Sequence, residues 1–113
     1  MRMTQHGQCS PSDMTTILQP QRDRLDSINS QVVDLLHERM QVCMDIAELK
    51  AAHGIPMMQP QRISQVLGQL KEKSLQVGLS TVYIESIFKL IIEETCMQEE
   101  RLISQILKQG KEL

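Results

Sequence analysis

The sequence has few aromatic residues and no long apolar run. Of its 113 residues, only Tyr83 and Phe88 are aromatic, so a folded core has to be built from aliphatic side chains and methionine. No apolar run reaches the roughly 18 residues that a membrane span needs. The N-terminus also lacks the apolar segment of a secretory signal. These absences predict a single cytoplasmic domain that has no membrane partner.

Cysteine and histidine are too few and too scattered for a disulfide framework or a metal site. Cys9, Cys43 and Cys96 are odd in number, lie far apart and form no C-x-x-C pair. The three histidines show no metal-ligand spacing either. We therefore expect reduced thiols of a cytoplasmic protein, with no metal.

A basic surface and a nucleophilic motif are also missing. The formal net charge of -2 and the pI near 5.9 exclude the excess of basic residues that binds nucleic acid without sequence preference, so no nucleic-acid partner is expected. There is no glycine-rich phosphate loop and no Ser–His or Cys–His signature. We predict no cofactor, and a reaction that depends on orientation and electrostatics.

The apolar pattern predicts a long first helix. Residues 1–17 are polar and are predicted to form a flexible tail before a helical domain of residues 18–113. Pro20 suits the first turn of a helix, and no proline or glycine follows it before Gly54. Such a helix would extend about 50 Å. Residues spaced by three and four positions form an apolar seam along one face of this helix, with one arginine in it. They are Leu25, Ile28, Val32, Leu35, Arg39, Val42, Ile46 and Leu49.

Two further helices are predicted after a proline-containing loop. Pro60 opens a shorter helix that runs to about Val77. Gly78 is a typical helix stop and Ser80 a plausible N-cap for a third helix, which extends to about Gln109. The sequence thus predicts an all-α protomer of long, short and long helices. Because a single chain would leave much of the first helix uncovered, we expect an intertwined helical homodimer.

Polar residues lie on the apolar faces of the first and third predicted helices. Arg39 and Lys50 are eleven residues apart, so they share a face of the first helix, and Thr95 and Glu99 share a face of the third. A buried Arg39–Glu99 ion pair that fixes the packing register is one interpretation. The other is a pocket for a small polyanion, lined by Arg39, Lys50 and the loop's Arg62. Three cations against one carboxylate slightly favour the pocket.

Arg22 adds a geometric constraint. It precedes Lys50 by 28 residues, which is about 42 Å along a continuous helix. It therefore cannot reach the same small molecule as Lys50 within one chain. Arg22 is either a solvated arginine or a residue that completes the site of a second subunit.

Three segments together resemble the all-helical (AroQ-class) chorismate mutases, over roughly residues 18–107. The first, from Arg22 to Lys50, reads R-x2-L-D-S-I-N-x2-V-V-D-L-L-x2-R-M-x9-K. The second, from Gly54 to Arg62, reads G-I-P-x3-P-x-R. The third, from Gly78 to Thr95, reads G-L-S-x2-Y-I-x3-F-x2-I-I-E-E-T.

The resemblance implies an intertwined dimer with two equivalent active sites. It also implies the [3,3] Claisen rearrangement of chorismate, a dianion, to prephenate. By motif position, Arg39 and the partner subunit's Arg22 would hold the two substrate carboxylates. Lys50 would bind the ether oxygen, where negative charge grows as the C–O bond breaks. Such an enzyme selects the reactive conformer and stabilises its transition state.

The same resemblance assigns the remaining site residues and shows two departures. Arg62 would lie beside the ring and a carboxylate, Thr95 matches a small hydroxyl residue of the pocket, and the backbone of Gln59 would lie near the C4 substituent. Ile63 stands where the family commonly has a glutamate that holds the C4 hydroxyl. Glu99 stands where a glutamine often donates to the ether oxygen, and a carboxyl group can donate there only when protonated.

Two local strings narrow the resemblance to one branch of the family. PMMQP-x-R-I and E-x-C-x2-E, the latter with Cys96 and Glu99, look like the 4-amino-4-deoxychorismate mutases, which make the 4-aminophenylalanine precursor of several antibiotics. The favoured reaction is therefore 4-amino-4-deoxychorismate to 4-amino-4-deoxyprephenate. An ammonium group at C4 would favour a carboxylate, which Ile63 does not supply. Loop carbonyls or a neutral amine would have to compensate.

Three alternatives remain open. The first is an ordinary chorismate mutase of aromatic amino-acid synthesis that uses Glu99 as its donor. The second is an isochorismate pyruvate lyase, in which Ile63 would also fit but glutamine is expected at position 99. The third is a non-catalytic helical dimer whose buried charges set the packing register. No appended dehydratase, dehydrogenase or large allosteric domain is expected.

Overall fold

Three α-helices joined by short connections form the protein in a computed structural model that describes residues 10–112, with side chains to residue 110. Helix α1 spans Pro11–His53, α2 spans Pro60–Val77 and α3 spans Thr81–Glu112. The predicted order of long, short and long helices is confirmed, and residues 10–112 contain no strand. Over the same residues, no helix is both long and apolar enough to cross a membrane.

Helix α1 begins earlier than predicted. Ser10 caps it, because its Oγ accepts the backbone N–H of Asp13 at 3.1 Å, and Pro11 occupies the first turn. Pro20, the predicted first-turn residue, lies inside the helix. Residues 11–17, which were predicted to belong to a flexible tail of residues 1–17, are therefore helical, and their flexibility stays a prediction. Residues 1–9 of the predicted tail lie outside the described residues.

The chain divides into two units between Glu38 and Arg39. In the first unit the apolar seam of α1 is uncovered. Leu25 is 58% exposed, Ile28 and Val32 are each 49% exposed, and Leu35 is 63% exposed. The first unit therefore presents a continuous apolar stripe that its own residues do not bury.

In the second unit, a glycine turn joins α2 to α3. Gly78 has a φ of 79°, the left-handed conformation that side chains disfavour, and the N–H of Leu79 reaches back to the carbonyl of Ser74 at 2.9 Å. Ser80 then caps α3 by accepting the N–H of Tyr83 at 3.3 Å. The predicted stop at Gly78 and cap at Ser80 are confirmed. An ion pair of 3.3 Å between Lys71 and Glu85 also joins the two helices.

The most deeply buried side chains of the second unit are mainly polar. Ala47 is fully buried, and Ser74, Thr95 and Glu99 retain at most 7% exposure. Ser74 is satisfied locally by donating to the carbonyl of Lys71. Thr95 and Glu99 lie on one face of α3, so the interior of this unit contains polar groups that need partners from elsewhere in the fold.

Candidate active site

The end of α1 and the start of α2 fix a short loop. Gly54 has a φ of 63°, and the N–H of Ile55 binds the carbonyl of Lys50 at 2.9 Å, which closes the last turn of α1. Gln59 then has an extended backbone, and Pro60 supplies the first residue of α2. The loop between the helices is therefore held at both ends by backbone geometry.

A cavity of about 290 Å³ opens between this loop and the three helices of the second unit. That volume is at the small end of the range for ligand sites. Its walls come from α1, the loop, α2 and α3. The lining residues are Arg39, Cys43, Ile46, Lys50, Met57, Met58, Gln59, Arg62, Ile63, Val66, Ile92, Thr95, Cys96 and Glu99.

The cavity brings together most of the residues that the sequence singled out. Those that line it are Arg39, Lys50, Gln59, Arg62, Ile63, Thr95 and Glu99. Arg22 does not line it and belongs to the unit that ends at Glu38. The roles assigned to all eight residues stay predictions.

Arg39 has neutral partners. Its Nη1 donates to Oγ1 of Thr95 at 2.8 Å and to Sγ of Cys43 at 3.7 Å. The hydroxyl of Thr95 in turn donates to the carbonyl of Ile91 at 2.8 Å. The Arg39–Glu99 ion pair considered from the sequence is therefore wrong. Both residues occupy the predicted faces, but each is paired with another residue.

Lys50 is the partner of Glu99. Its Nζ lies 3.2 Å from Oε2 of Glu99, and the two side chains are only 15% and 9% exposed. Nζ also donates to the backbone carbonyl of Met57 at 2.9 Å. An ammonium group has three N–H donors, so one of them is left for a ligand in the cavity. Lys50 thereby joins α1, the loop and α3 at a single charged atom.

Arg62 lies near the rim and is exposed. Its Nη1 donates to Oε1 of Gln65 at 3.0 Å, one turn further along α2. Its backbone N–H and that of Ile63 both donate to the carbonyl of Gln59, at 3.0 and 3.2 Å. The first turn of α2 therefore fixes the position from which Arg62 extends, while the guanidinium group has only an uncharged side chain as its partner.

The charge of the cavity is not balanced. Three cationic side chains and one carboxylate line it, a formal excess of two positive charges in a chain whose net charge is -2. The salt bridge between Lys50 and Glu99 neutralises one pair. Within residues 10–110, neither Arg39 nor Arg62 forms a salt bridge with an acidic side chain. The cavity therefore favours a ligand with two negative charges.

Part of the cavity lining, contributed by the loop, α2 and α3, is apolar or contains sulfur. Ile63 and Val66 of α2 face the same space as Met57, Ile92 and Cys96. Burial raises the pKa of the Cys96 thiol, and the nearby carboxylate of Glu99 raises it further. The thiol therefore stays protonated at neutral pH and adds no negative charge to the cavity lining.

The sequence patterns did not identify several residues that contribute to the site. Cys43 follows Arg39 by four residues and so shares its helix face, a signal that helical spacing could have supplied. Gln65 stands in a comparable position, three residues after Arg62. Met57 contributes a backbone carbonyl from an irregular loop, for which no sequence pattern exists. In the described part of the chain, no cluster of three or more His, Cys, Asp or Glu side chains is arranged to hold a metal.

Comparisons with known proteins give a consistent result. The family described as "Chorismate mutase type II" matches residues 21–100. A 4-amino-4-deoxychorismate mutase from Streptomyces pristinaespiralis is 33% identical over 94 residues, which are 83% of this chain and 73% of the relative. A protein of the same name from Streptomyces venezuelae is 32% identical, over 77% of this chain and 84% of the relative. A chorismate mutase from Methanocaldococcus jannaschii is 22% identical, over 80% and 91% of the two chains.

Proposed function

The chain belongs to the chorismate mutase type II family and is an isomerase, and we propose that its substrate is 4-amino-4-deoxychorismate, which it converts to 4-amino-4-deoxyprephenate. One observation carries the choice of a chorismate-type ligand. Arg39 and Arg62 line one cavity, and both have uncharged partners. A small dicarboxylate supplies the two negative charges that this arrangement lacks.

Arginine side chains are proposed to orient the substrate. Arg39 and the partner subunit's Arg22 hold the two carboxylates, and Arg62 lies beside the ring and one carboxylate. Binding both carboxylates selects the conformer in which the reacting carbon atoms approach each other. This orientation matters because a pericyclic rearrangement requires no nucleophile from the protein.

Lys50 is proposed to stabilise the transition state. As the C–O bond breaks, negative charge develops on the ether oxygen, and the remaining N–H of Lys50 donates to it. Glu99 and the carbonyl of Met57 hold the ammonium group in place, at 3.2 and 2.9 Å. Because these partners are in position before the substrate reacts, little reorganisation is needed when the charge develops.

Glu99 is proposed to act as a second donor to the ether oxygen. It is the only carboxylate that lines the cavity among residues 10–110, and it is almost completely buried. In the salt bridge with Lys50 the carboxylate only accepts hydrogen bonds. It can donate to the ether oxygen only when it carries a proton.

The surroundings of Ile63 support a neutral amine at C4. The carbonyl of Gln59 already accepts two backbone N–H groups, and the carbonyl of Met57 accepts from Lys50. Two loop carbonyls that could receive an ammonium group are therefore already bound. The excess positive charge and the apolar lining residues such as Ile63 both disfavour a charged amine. Together with the two Streptomyces relatives, this supports 4-amino-4-deoxychorismate bound as the neutral amine.

A homodimer completes this proposal. The first unit exposes the apolar side chains of Leu25, Ile28, Val32 and Leu35, and burying them against a second copy would remove this apolar surface from water. Arg22 lies on the same unit and does not line the cavity of its own chain. A dimer in which each chain supplies Arg22 to the other accounts for both features.

Chorismate is the second candidate substrate, and one observation favours it. The part of the wall formed by Ile63 carries no acidic group, so it offers a C4 amine no charged partner, and it accommodates a hydroxyl equally well. On this interpretation the product is prephenate and the cavity residues have the same roles.

The test compares three substrates. The pure protein is incubated with 4-amino-4-deoxychorismate, chorismate and isochorismate, and kcat/KM is measured for each. We expect a preference of at least about tenfold for the amino substrate over chorismate. The Lys50→Ala variant, purified in the same way, is the control for a contaminating mutase.

Each other outcome has a definite meaning. A preference for chorismate would replace the proposed substrate with the second candidate. Release of pyruvate from isochorismate as the fastest reaction would identify a lyase. Absence of turnover with all three substrates would contradict the catalytic proposal.

A further inference from the structure

We propose that the first part of α1 forms an arm that packs on a second copy of the chain, against the loop that walls the cavity of that copy. The arm consists of residues 11–20, which precede the family match over residues 21–100. This inference rests on the proposed function, since its premise is a homodimer in which Arg22 acts in the partner's cavity. It assigns an interface to a segment that no sequence motif singled out.

The helical form of the arm needs support from outside the arm. Pro20 lies inside α1 and has no N–H, so the carbonyl of Thr16 loses its partner four residues further along the helix. A helical segment of about ten residues is marginal in water. Ser10 caps the first turn of the arm, but one cap does not replace a packed surface.

The arm continues the apolar stripe of the first unit. Met14, Leu18 and Gln21 keep the three- and four-residue spacing that leads to Leu25, and Ile17 lies on the same helix face. Met14, Ile17 and Leu18 are all exposed. Because the stripe that begins at Leu25 is the surface that the proposed dimer buries, its continuation along the arm faces the same partner.

Symmetry fixes the direction in which the arm points. In a twofold dimer with shared sites, each Arg22 reaches the other copy's cavity, to which α1 contributes Arg39 and Lys50. Side-by-side parallel α1 helices related by a twofold axis would place Arg22 beside Arg22 of the partner subunit, so the two helices run antiparallel. Arg22 then lies alongside residues 39–50 of the partner subunit. Met14 is eight residues, or about 12 Å, further along, and is level with residues 47–58 of the partner subunit.

The surface at that level is apolar and includes the loop that walls the cavity. Leu49 near the end of α1 is exposed, as are Ile55 and Met58 of the loop that follows. The same loop supplies the carbonyl of Met57 that binds Lys50 at 2.9 Å. An arm packed on these side chains removes apolar surface of both copies from water. The arm of one copy thereby holds the cavity loop of the other in place.

The first experiment locates the arm by photochemical cross-linking. p-Benzoylphenylalanine replaces Met14 in the full chain, and the dimer-sized product formed on irradiation is digested and mapped by mass spectrometry. We expect the cross-link to join position 14 to residues 47–58 of the partner subunit. The matched control carries the same amino acid in place of Ser12, about 200° around the helix, and should give little cross-linked dimer.

The second experiment measures the effect of the arm on the cavity. Met14→Glu places a charge on the packed face, and we expect KM to rise about three- to tenfold while kcat stays within about twofold. Sedimentation should still show a dimer, because the stripe from Leu25 onward is intact. Ser12→Glu adds the same charge on the opposite face and should leave KM unchanged. The melting temperature of each variant shows whether a change reflects unfolding.

The outcomes separate this inference from the proposed function. A cross-link from position 14 to residues 11–20 of the partner subunit would overturn the inference and leave the proposed function intact. The same holds for a protein that sediments as a dimer but forms no cross-linked dimer, and for a wild-type KM in Met14→Glu. A wild-type protein that is monomeric, or that turns over none of the three substrates, would instead contradict the proposed function.

Discussion

Helix α1 contributes to two units whose side chains meet very different surroundings. Up to Glu38, its apolar residues are exposed, with Leu35 at 63% and Leu25 at 58%. From Arg39 onward, two of its cationic side chains are half-buried and hydrogen-bonded, Arg39 to Thr95 and Lys50 to Glu99. Two charged side chains of this helix are therefore more buried than its apolar side chains up to Glu38.

The difference shows where each unit finds its partners. The second unit has hydrogen-bond partners for its buried polar side chains within the same chain, and residues of one protomer line its cavity. The first unit has apolar side chains without cover and an arginine outside the cavity. The proposed homodimer supplies what the first unit lacks, and the following predictions test this contrast.

The largest expected effect is the loss of activity in Lys50→Ala, and mixing this variant with Arg22→Ala tests whether Arg22 acts in the site of the partner subunit. Lys50→Ala should lower kcat/KM by about 10³-fold, because it removes the donor to the ether oxygen. Arg22→Ala should lower it by about 10²-fold. If Arg22 acts in trans, co-refolded mixtures of the two variants contain heterodimers with one intact site and recover roughly one quarter of wild-type activity. Activity is measured in the mixture and in each variant alone. No recovery after verified subunit exchange would place Arg22 outside the shared site.

A charge on the exposed apolar stripe should break the dimer. Ile28→Asp would bury a carboxylate in the proposed interface, and we expect monomers together with a loss of about 10²-fold in activity at nanomolar protein. Sedimentation analysis measures the oligomeric state. The matched control is Ser30→Asp, which lies about 200° around the helix from position 28 and should stay dimeric. A dimer that survives Ile28→Asp would contradict the proposed interface.

A smaller effect concerns the buried carboxyl group of the second unit. If Glu99 donates to the ether oxygen, Glu99→Gln keeps a donor at this position and should retain kcat/KM to within about tenfold, whereas Glu99→Leu removes it and should lower kcat/KM by about 10²-fold. Glu94→Gln, at an exposed position on the same helix, should leave kcat/KM unchanged. Equal losses in Glu99→Gln and Glu99→Leu would contradict the role of Glu99 as a donor. The measurement is kcat/KM of each purified variant.

The smallest effect is one of stability. Gly78→Ala places a side chain in a left-handed conformation with a φ of 79°, and should lower the free energy of unfolding by about 1 kcal/mol. No atom lies within 4 Å of the added Cβ, so the cost is conformational. Gly68→Ala, also without a neighbour within 4 Å but inside α2, should raise it by about 1 kcal/mol. Urea unfolding measures both. An equal effect at the two glycines would contradict the role of Gly78 as a helix stop.

Local signals predicted much of the fold. Helical periodicity predicted the three helices. Gly78, as a helix stop, and Ser80, as an N-cap, predicted the turn between α2 and α3. The start of α1 was predicted at the wrong proline. The helix was predicted to begin near Pro20, whereas it begins at Pro11, which follows the cap residue Ser10. Both prolines are compatible with a helix start, and only the cap made by Ser10 distinguishes them.

The sequence alone therefore determined the helices, the faces on which Arg39, Lys50, Thr95 and Glu99 lie, and the family motifs. The tertiary structure decided which of these residues are paired. Periodicity gives the side of a helix on which a residue lies, but a hydrogen bond of about 3 Å depends on how far one helix is shifted along another. For this reason the Arg39–Glu99 pair was wrong, and only the packed second unit revealed that Lys50 holds Glu99 and Thr95 holds Arg39.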